Sequence, residues 1–174
     1  VRRASIAVMP FADPTFRGGP RGGLADALVH DVITRIAKLR SLFVIAQGTV
    51  FALDRKRIAP QAAGRILNVD YVVSGWLTRY GNRISVSVEL AETRTARIVW
   101  TDVLTPRLED ALSILDDIGD RIVATVASEI EANERNRAIL QPPASLDAWQ
   151  AYHRGLWHMY RFAKADNDLA RQFF

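Results

Sequence analysis

Asp70-Tyr-Val-Val-Ser-Gly-Trp-Leu-Thr-Arg-Tyr80, Gly81-Asn82, Arg83-Ile-Ser-Val-Ser-Val-Glu-Leu-Ala-Glu92 is the stretch that decides the fold. Its second half alternates. Ile84, Val86, Val88 and Leu90 fall on one side, and Ser85, Ser87 and Glu89 on the other. A period of two is that of a strand with one buried and one wet face. The first half reads as a long strand. Gly81-Asn82 between them is a two-residue hairpin signal, because both residues tolerate positive φ. Ile98 to Leu104, ended by Pro106, adds a further strand and completes a meander.

Working toward the amino terminus, Ala4 to Met9 is short, apolar and stopped by Pro10, which predicts a strand buried on both faces. Leu42 to Ala46 predicts another. Between them the period changes: Leu24, Leu28, Val32 and Ile36 recur every four residues, with Val29 and Ile33 beside them. That is one apolar helix face, with Asp26, His30 and Asp31 toward water. A helical turn at Thr49 to Leu53 and a helix at Gln61 to Leu67, introduced by Pro60, lead into the meander. Beyond it, Leu108, Leu112, Leu115, Ile118, Ile122, Val126 and Ile130 keep spacings of three and four and predict a long amphipathic helix. The order is β-α-β-α-β-β-β-α. The expected class is α/β: a mixed five-stranded sheet with packed helices, followed by an α-helical fragment. The first two crossovers give parallel pairing and the hairpins give antiparallel pairing. Gln141-Pro142-Pro143-Ala144-Ser145 is a linker. Ser145 is then the candidate N-cap of a helix faced by Leu146, Trp149, Tyr152 and Leu156, and a further helix starts at Ala163.

The 174 residues are 49% hydrophobic and 24% charged, which excludes general disorder and allows one domain, or one and a fragment. The absence of cysteine excludes disulfides, thiol catalysis and Cys-ligated zinc. No apolar run approaches the roughly 20 residues of a membrane span. The net charge of +4 is too small to point to nucleic acid. It is also uneven: Arg55, Lys56 and Arg57 form a basic run, while Glu109 to Glu134 is rich in acids. Such halves attract within a chain or between chains, so a homodimer is an expectation. The apolar ending Phe173-Phe174 reads as a cut inside a longer protein.

Catalytic constellations are not expected. The glycine-rich loop Arg17-Gly18-Gly19-Pro20-Arg21-Gly22-Gly23 has no Gly-Lys-Ser/Thr, and the dinucleotide fingerprint fails at Pro20. Arg17 and Arg21, at the start of a helix, remain candidates for an anion or partner contact. Ser74-Gly75 lacks the preceding glycine of a nucleophile elbow. His153 and His158 stand five apart, which does not align them as metal ligands. Asp116, Asp117 and Asp120 read as solvated charge. Trp76 and Trp100 read as cross-strand or core packing, with an exposed patch as the alternative. No cofactor or metal is expected.

Ala7-Val8-Met9-Pro10-Phe11, Leu42-Phe43-Val44-Ile45-Ala46, Tyr71-Val72-Val73-Ser74-Gly75, Gly81-Asn82-Arg83-Ile84, Trp100, and Leu108-Glu109-Asp110 with Leu115-Asp116-Asp117-Ile118 follow one another in order. Together they resemble the amino-terminal domain of TolB as it recurs in bacterial signalling proteins. Leu146-Asp147-Ala148-Trp149-Gln150-Ala151-Tyr152-His153-Arg154-Gly155 resembles the first helix of a tetratricopeptide repeat array. The resemblance departs at the arginine- and glycine-rich first loop, and at Thr95-Ala96, where relatives tend to carry glycine. It implies a regulatory domain over residues 1–140, a linker over 141–145 and a truncated first repeat pair over 146–174. Trp149, Tyr152, Gly155 and Trp157 would then serve repeat packing or peptide contact. It further implies a non-catalytic segment of a bacterial transcriptional regulator whose DNA-binding domain lies elsewhere. The alternatives are the accessory region of a class III adenylate cyclase, or a periplasmic binding domain. Expected partners are proteins or the chain's own output domain, with no direct contact to nucleic acid. The expected location is the cytoplasm, or the periplasm if a membrane span precedes the segment.

Overall fold

The computed structural model describes residues 3–19, 21–106 and 111–174, with the side chains of Ala111, Leu112 and Pro143 excepted. The chain forms β1 (Ala4–Val8), α1 (Leu24–Ala37), β2 (Leu42–Val44), α2 (Gln47–Arg55), α3 (Pro60–Leu67), β3 (Tyr71–Tyr80), β4 (Arg83–Glu92) and β5 (Arg97–Leu104). Then come α4 (Ala111–Leu140), a 3-10 turn at Pro143–Ser145, α5 (Ala148–Met159) and α6 (Lys164–Phe173). The expected opening of the long helix at Leu108 lies outside the described residues. Two compact units divide the chain inside α4: Ala4–Val126 and Ala127–Phe174. Among the described residues, no helix is long and apolar enough to cross a membrane.

The first unit is a mixed α/β fold around one five-stranded sheet in the order β2-β1-β3-β4-β5. β1 lies parallel to β2 and to β3, while β3–β4 and β4–β5 are antiparallel. Ser5 and Asp70 fasten the start of the parallel pair. The Ser5 amide and hydroxyl both donate to Asp70 Oδ2 at 2.9 Å, and the Asp70 amide donates to Ser5 Oγ at 3.0 Å. The alternating residues Ile84, Val86, Val88 and Leu90 are all buried, as their period requires. α1 buries Leu28, Val29, Val32 and Ile36, and the first half of α4 buries Leu115, Ile118, Ile122 and Val126. Arg35 of α1 ties the two helices by bonding Asp31 at 2.8 Å together with Asp116 and Asp120 of α4. Asp31 and Asp116 hold its guanidinium still more firmly protonated than usual, against desolvation, with Asp120 adding a lesser push the same way. The acid-rich stretch thus finds basic partners inside the chain.

Several local expectations need correction. β2 is three residues long and forms a sheet edge, so Phe43 is 63% exposed rather than buried on both faces. The turn after it is a full helix, α2. At the first hairpin only Gly81 takes positive φ, at +59°, as at the first central position of a type II′ turn. Trp76 is not core: it stands on the side of β3 opposite Leu77 and is 61% exposed. α3 covers that face further back, where Gly64 meets Val72 and Thr93.

Two backbone positions yield stability predictions. A methyl group at Gly75 would run into the Ser87 carbonyl oxygen and the Phe11 ring. Gly75→Ala therefore lowers unfolding free energy by about 1–3 kcal/mol in urea titrations. In the second hairpin Ala96 is held at φ +56°. Ala96→Gly relieves that strain and raises the urea midpoint, by about 0.5–1 kcal/mol of stability.

Candidate functional site

After β1 the chain keeps running alongside β3. Met9 donates to the Val73 carbonyl at 2.9 Å, Ala12 to Gly75 at 3.0 Å, and Leu77 returns a bond to Ala12 at 2.8 Å. Asp13 then reverses the backbone. Its Oδ1 accepts from the Thr15 amide (3.1 Å), the Thr15 hydroxyl (2.8 Å) and the Phe16 amide (3.0 Å). Thr15 Oγ1 in turn accepts from the Arg79 amide at 3.0 Å, which pins the loop to β3. The Phe16 ring packs against Gly18 and Gly23; a methyl group at Gly23 would sit 2.9 Å from it. Gly19 and Gly22 take φ of +122° and +108°. The glycines therefore serve a ring and two positive-φ positions.

The two arginines of this loop have different surroundings. Arg21 Nε and Nη2 donate to Asp54 Oδ2 at 3.0 and 2.6 Å. Its Nη1 donates to Asp26 Oδ1 and to the Phe11 carbonyl, both at 2.9 Å. Arg21 is a structural strut linking loop, α1 and α2. Arg17 is exposed, and among the described residues it has no ion-pair partner. It lines a cavity of about 570 Å³ with Phe16, Leu24, Ala27, Leu77 and Arg79. The structure therefore separates Arg17 from Arg21 and brings it to Arg79. Arg79 carries no distinguishing signal in the sequence, because it lies on a strand outside any motif.

The second group of candidates lies in the other unit. Asp147, not Ser145, caps α5. It forms a capping box in which Gln150 N donates to Asp147 Oδ1 at 2.8 Å and Asp147 N donates to Gln150 Oε1 at 3.0 Å. The buried side of α5 is Trp149, His153, Gly155 and His158, whereas Tyr152 is 46% exposed. Trp149 Nε1 donates to Glu134 Oε2 at 3.1 Å. Gly155 makes room for the Phe174 ring just past α6, since a methyl group there would sit 2.7 Å from it. Tyr152 also meets Phe174, at 6.0 Å between ring centres. Trp157 lies under the Arg161 guanidinium at 4.8 Å and edge-on to His158 at 4.7 Å. His158 Nδ1 reaches Asp166 Oδ1 at 2.9 Å. Among the described residues, no group of three or more His, Cys, Asp or Glu could hold a metal ion.

His153 is 1% exposed, edge-on to Trp149 and Tyr152, and neither ring nitrogen has a hydrogen-bond partner among the described residues. Burial pushes its pKa down; Glu134 raises it and Arg135 lowers it. Because the folded pKa is depressed, the unfolded chain takes up the proton first as pH falls. Stability is retained above the unfolded value of about 6.5 and is lost below it. Urea midpoints followed by tryptophan fluorescence fall between pH 7.5 and 5.5, and His153→Leu shows a smaller fall.

No protein-family model matches the chain. It is 32% identical over 171 residues to the Rhizobium meliloti protein named "Putative adenylate cyclase 3". That alignment takes in 98% of this chain but 29% of the relative. Among solved structures, TolB from Acinetobacter baumannii superposes with a TM-score of 0.53 at 13% identity, covering 75% of this chain and 29% of that one. A lipoprotein from Neisseria meningitidis superposes with a TM-score of 0.50 at 18% identity, covering 71% of this chain and 96% of that one. At such identities the likeness is one of fold, and the expected TolB-like architecture is the one observed. The chain spans less than a third of the length of the curated relative it matches.

Proposed function

We propose that these residues form a non-catalytic regulatory module of an adenylate-cyclase-type signalling protein. One observation carries the reading: nearly the whole chain aligns, at 32% identity, with under a third of a protein whose name assigns it to the cyclases. The remaining two thirds or more of such a protein has room for the cyclase reaction. The expectation of a transcriptional regulator finds no support in the likenesses found and gives way to this one. The module works through protein contact, with its own output domain or with other proteins, and the need of an attached cyclase for ATP favours the cytoplasm over the periplasm.

On this reading residues 1–140 are the sensing or docking domain, 141–145 the linker and 146–174 the start of a tetratricopeptide array. The seating of the Phe174 ring, just past α6, on Gly155 of α5 favours the repeat reading, in which a small residue opens the space between paired helices. Trp149 bonds Glu134 of α4, Trp157 lies against His158 and Arg161, and Tyr152 keeps an exposed edge for a following helix or a bound peptide.

The test is deletion of these 174 residues from the gene product that encodes them, with conversion of ATP to cyclic AMP as the readout. Cyclase activity persists without them but changes several-fold in rate or in response, and the isolated segment produces no cyclic AMP. Turnover by the isolated segment, or a deletion without any effect on rate or response, overturns the proposal.

A further inference from the structure

We propose that the cavity between the Asp13–Gly23 loop, the start of α1 and β3 binds a small organic anion with an apolar body, gripped by Arg17 and Arg79. The inference goes beyond the regulatory reading and does not depend on it.

The cavity is about 570 Å³, within the range of sites that take small molecules. Its floor is apolar: Phe16, Leu24, Ala27 and Leu77. Its charged residues are Arg17, Arg79 and Asp13. Among the described residues neither arginine has an ion pair, whereas Arg21, a few residues away, is saturated by Asp26, Asp54 and a carbonyl. Asp13 Oδ1 is taken up by three donors of its own loop, and the lining sets two positive charges against this one negative charge. That leaves Arg17 and Arg79 as the lining residues with charge to pair with an anion. Their planar donor geometry suits a carboxylate or a phosphate.

The walls are set before any ligand arrives. Asp13 and Thr15 fix the loop to β3, the Phe16 ring is seated on Gly18 and Gly23, and Arg21 holds the loop to α1 and α2. The ordering that binding demands falls on the Arg17 and Arg79 side chains rather than on the backbone. An inorganic anion would use the rim and leave the floor wet. A neutral apolar molecule would use the floor and leave both guanidinium groups without a partner. An anion with an apolar body uses both.

The test is an NMR titration of the 174-residue chain with octanoate and with phenyl phosphate, using octanol and inorganic phosphate as controls. The expected result is saturable shifts at the Phe16, Leu24 and Leu77 amides with at least one of the two amphipathic anions. Each control binds about tenfold more weakly, or not at all. Whichever anion binds more tightly identifies the headgroup. Arg17→Gln and Arg79→Gln each weaken binding by about tenfold while leaving the thermal midpoint in place. The proposal is overturned if neither anion saturates, if octanol or inorganic phosphate binds as tightly, or if the double variant keeps its affinity.

Discussion

β3 is bonded along both of its edges, and the rest of the first unit is arranged around that. One edge takes β1 in parallel register, Ile6 opposite Tyr71 and Val8 opposite Val73. The other takes β4 in antiparallel register from Tyr71–Glu92 to Tyr80–Arg83. The parallel half of the sheet therefore meets the meander on a single strand. When β1 ends, the chain does not leave that edge but continues along it through Met9 and Ala12. Gly75 sits where this extension, the Phe11 ring and the β4 backbone converge, and no side chain fits there. The loop, its cavity and the start of α1 are placed by the same edge.

The parts that could be read in the sequence are those whose signal is local and periodic. The alternation Ile84, Val86, Val88, Leu90 fixed the meander, and Leu115, Ile118, Ile122, Val126 fixed the long helix. The five strands and their parallel or antiparallel sense follow from that reading. Features that depend on neighbours distant in sequence were hidden. Phe43 and Trp76 look like core residues by type, but one lies on an edge strand and the other on a part of β3 that leaves it largely exposed. On α5 the apolar pattern pointed to Tyr152, while the buried residue beside it is His153. A histidine contributes nothing to a hydrophobic period, so its burial leaves no trace in the sequence. Arg17 was visible as part of a glycine-rich loop; Arg79, brought to the same cavity by the register of β3, was not.

The loop also shows how one composition supports different chemistries. Glycine and arginine between a strand and a helix suggest a phosphate cradle, in which backbone amides face the ligand. In this chain the glycines accommodate the Phe16 ring and two positive-φ turns, and the first arginine-like signal divides in two. Arg21 holds the scaffold through Asp26 and Asp54, which leaves charge selection to a pair of side chains rather than to amides. A site of that kind discriminates by the shape of the whole ligand, because its floor is apolar and its rim is charged.

The two borders of the sheet have a consequence for the chain in bulk. β2 offers three residues of free edge. β5 is longer, but its register shifts between Leu90 and Ala91, and Asp102 points inward with Arg121 at 3.6 Å. A bend and an inward charge both spoil the straight, repeating template that an identical strand would need in order to add on. The sheet thus terminates itself at both ends. In a concentrated solution these borders disfavour the addition of strand to strand between native copies.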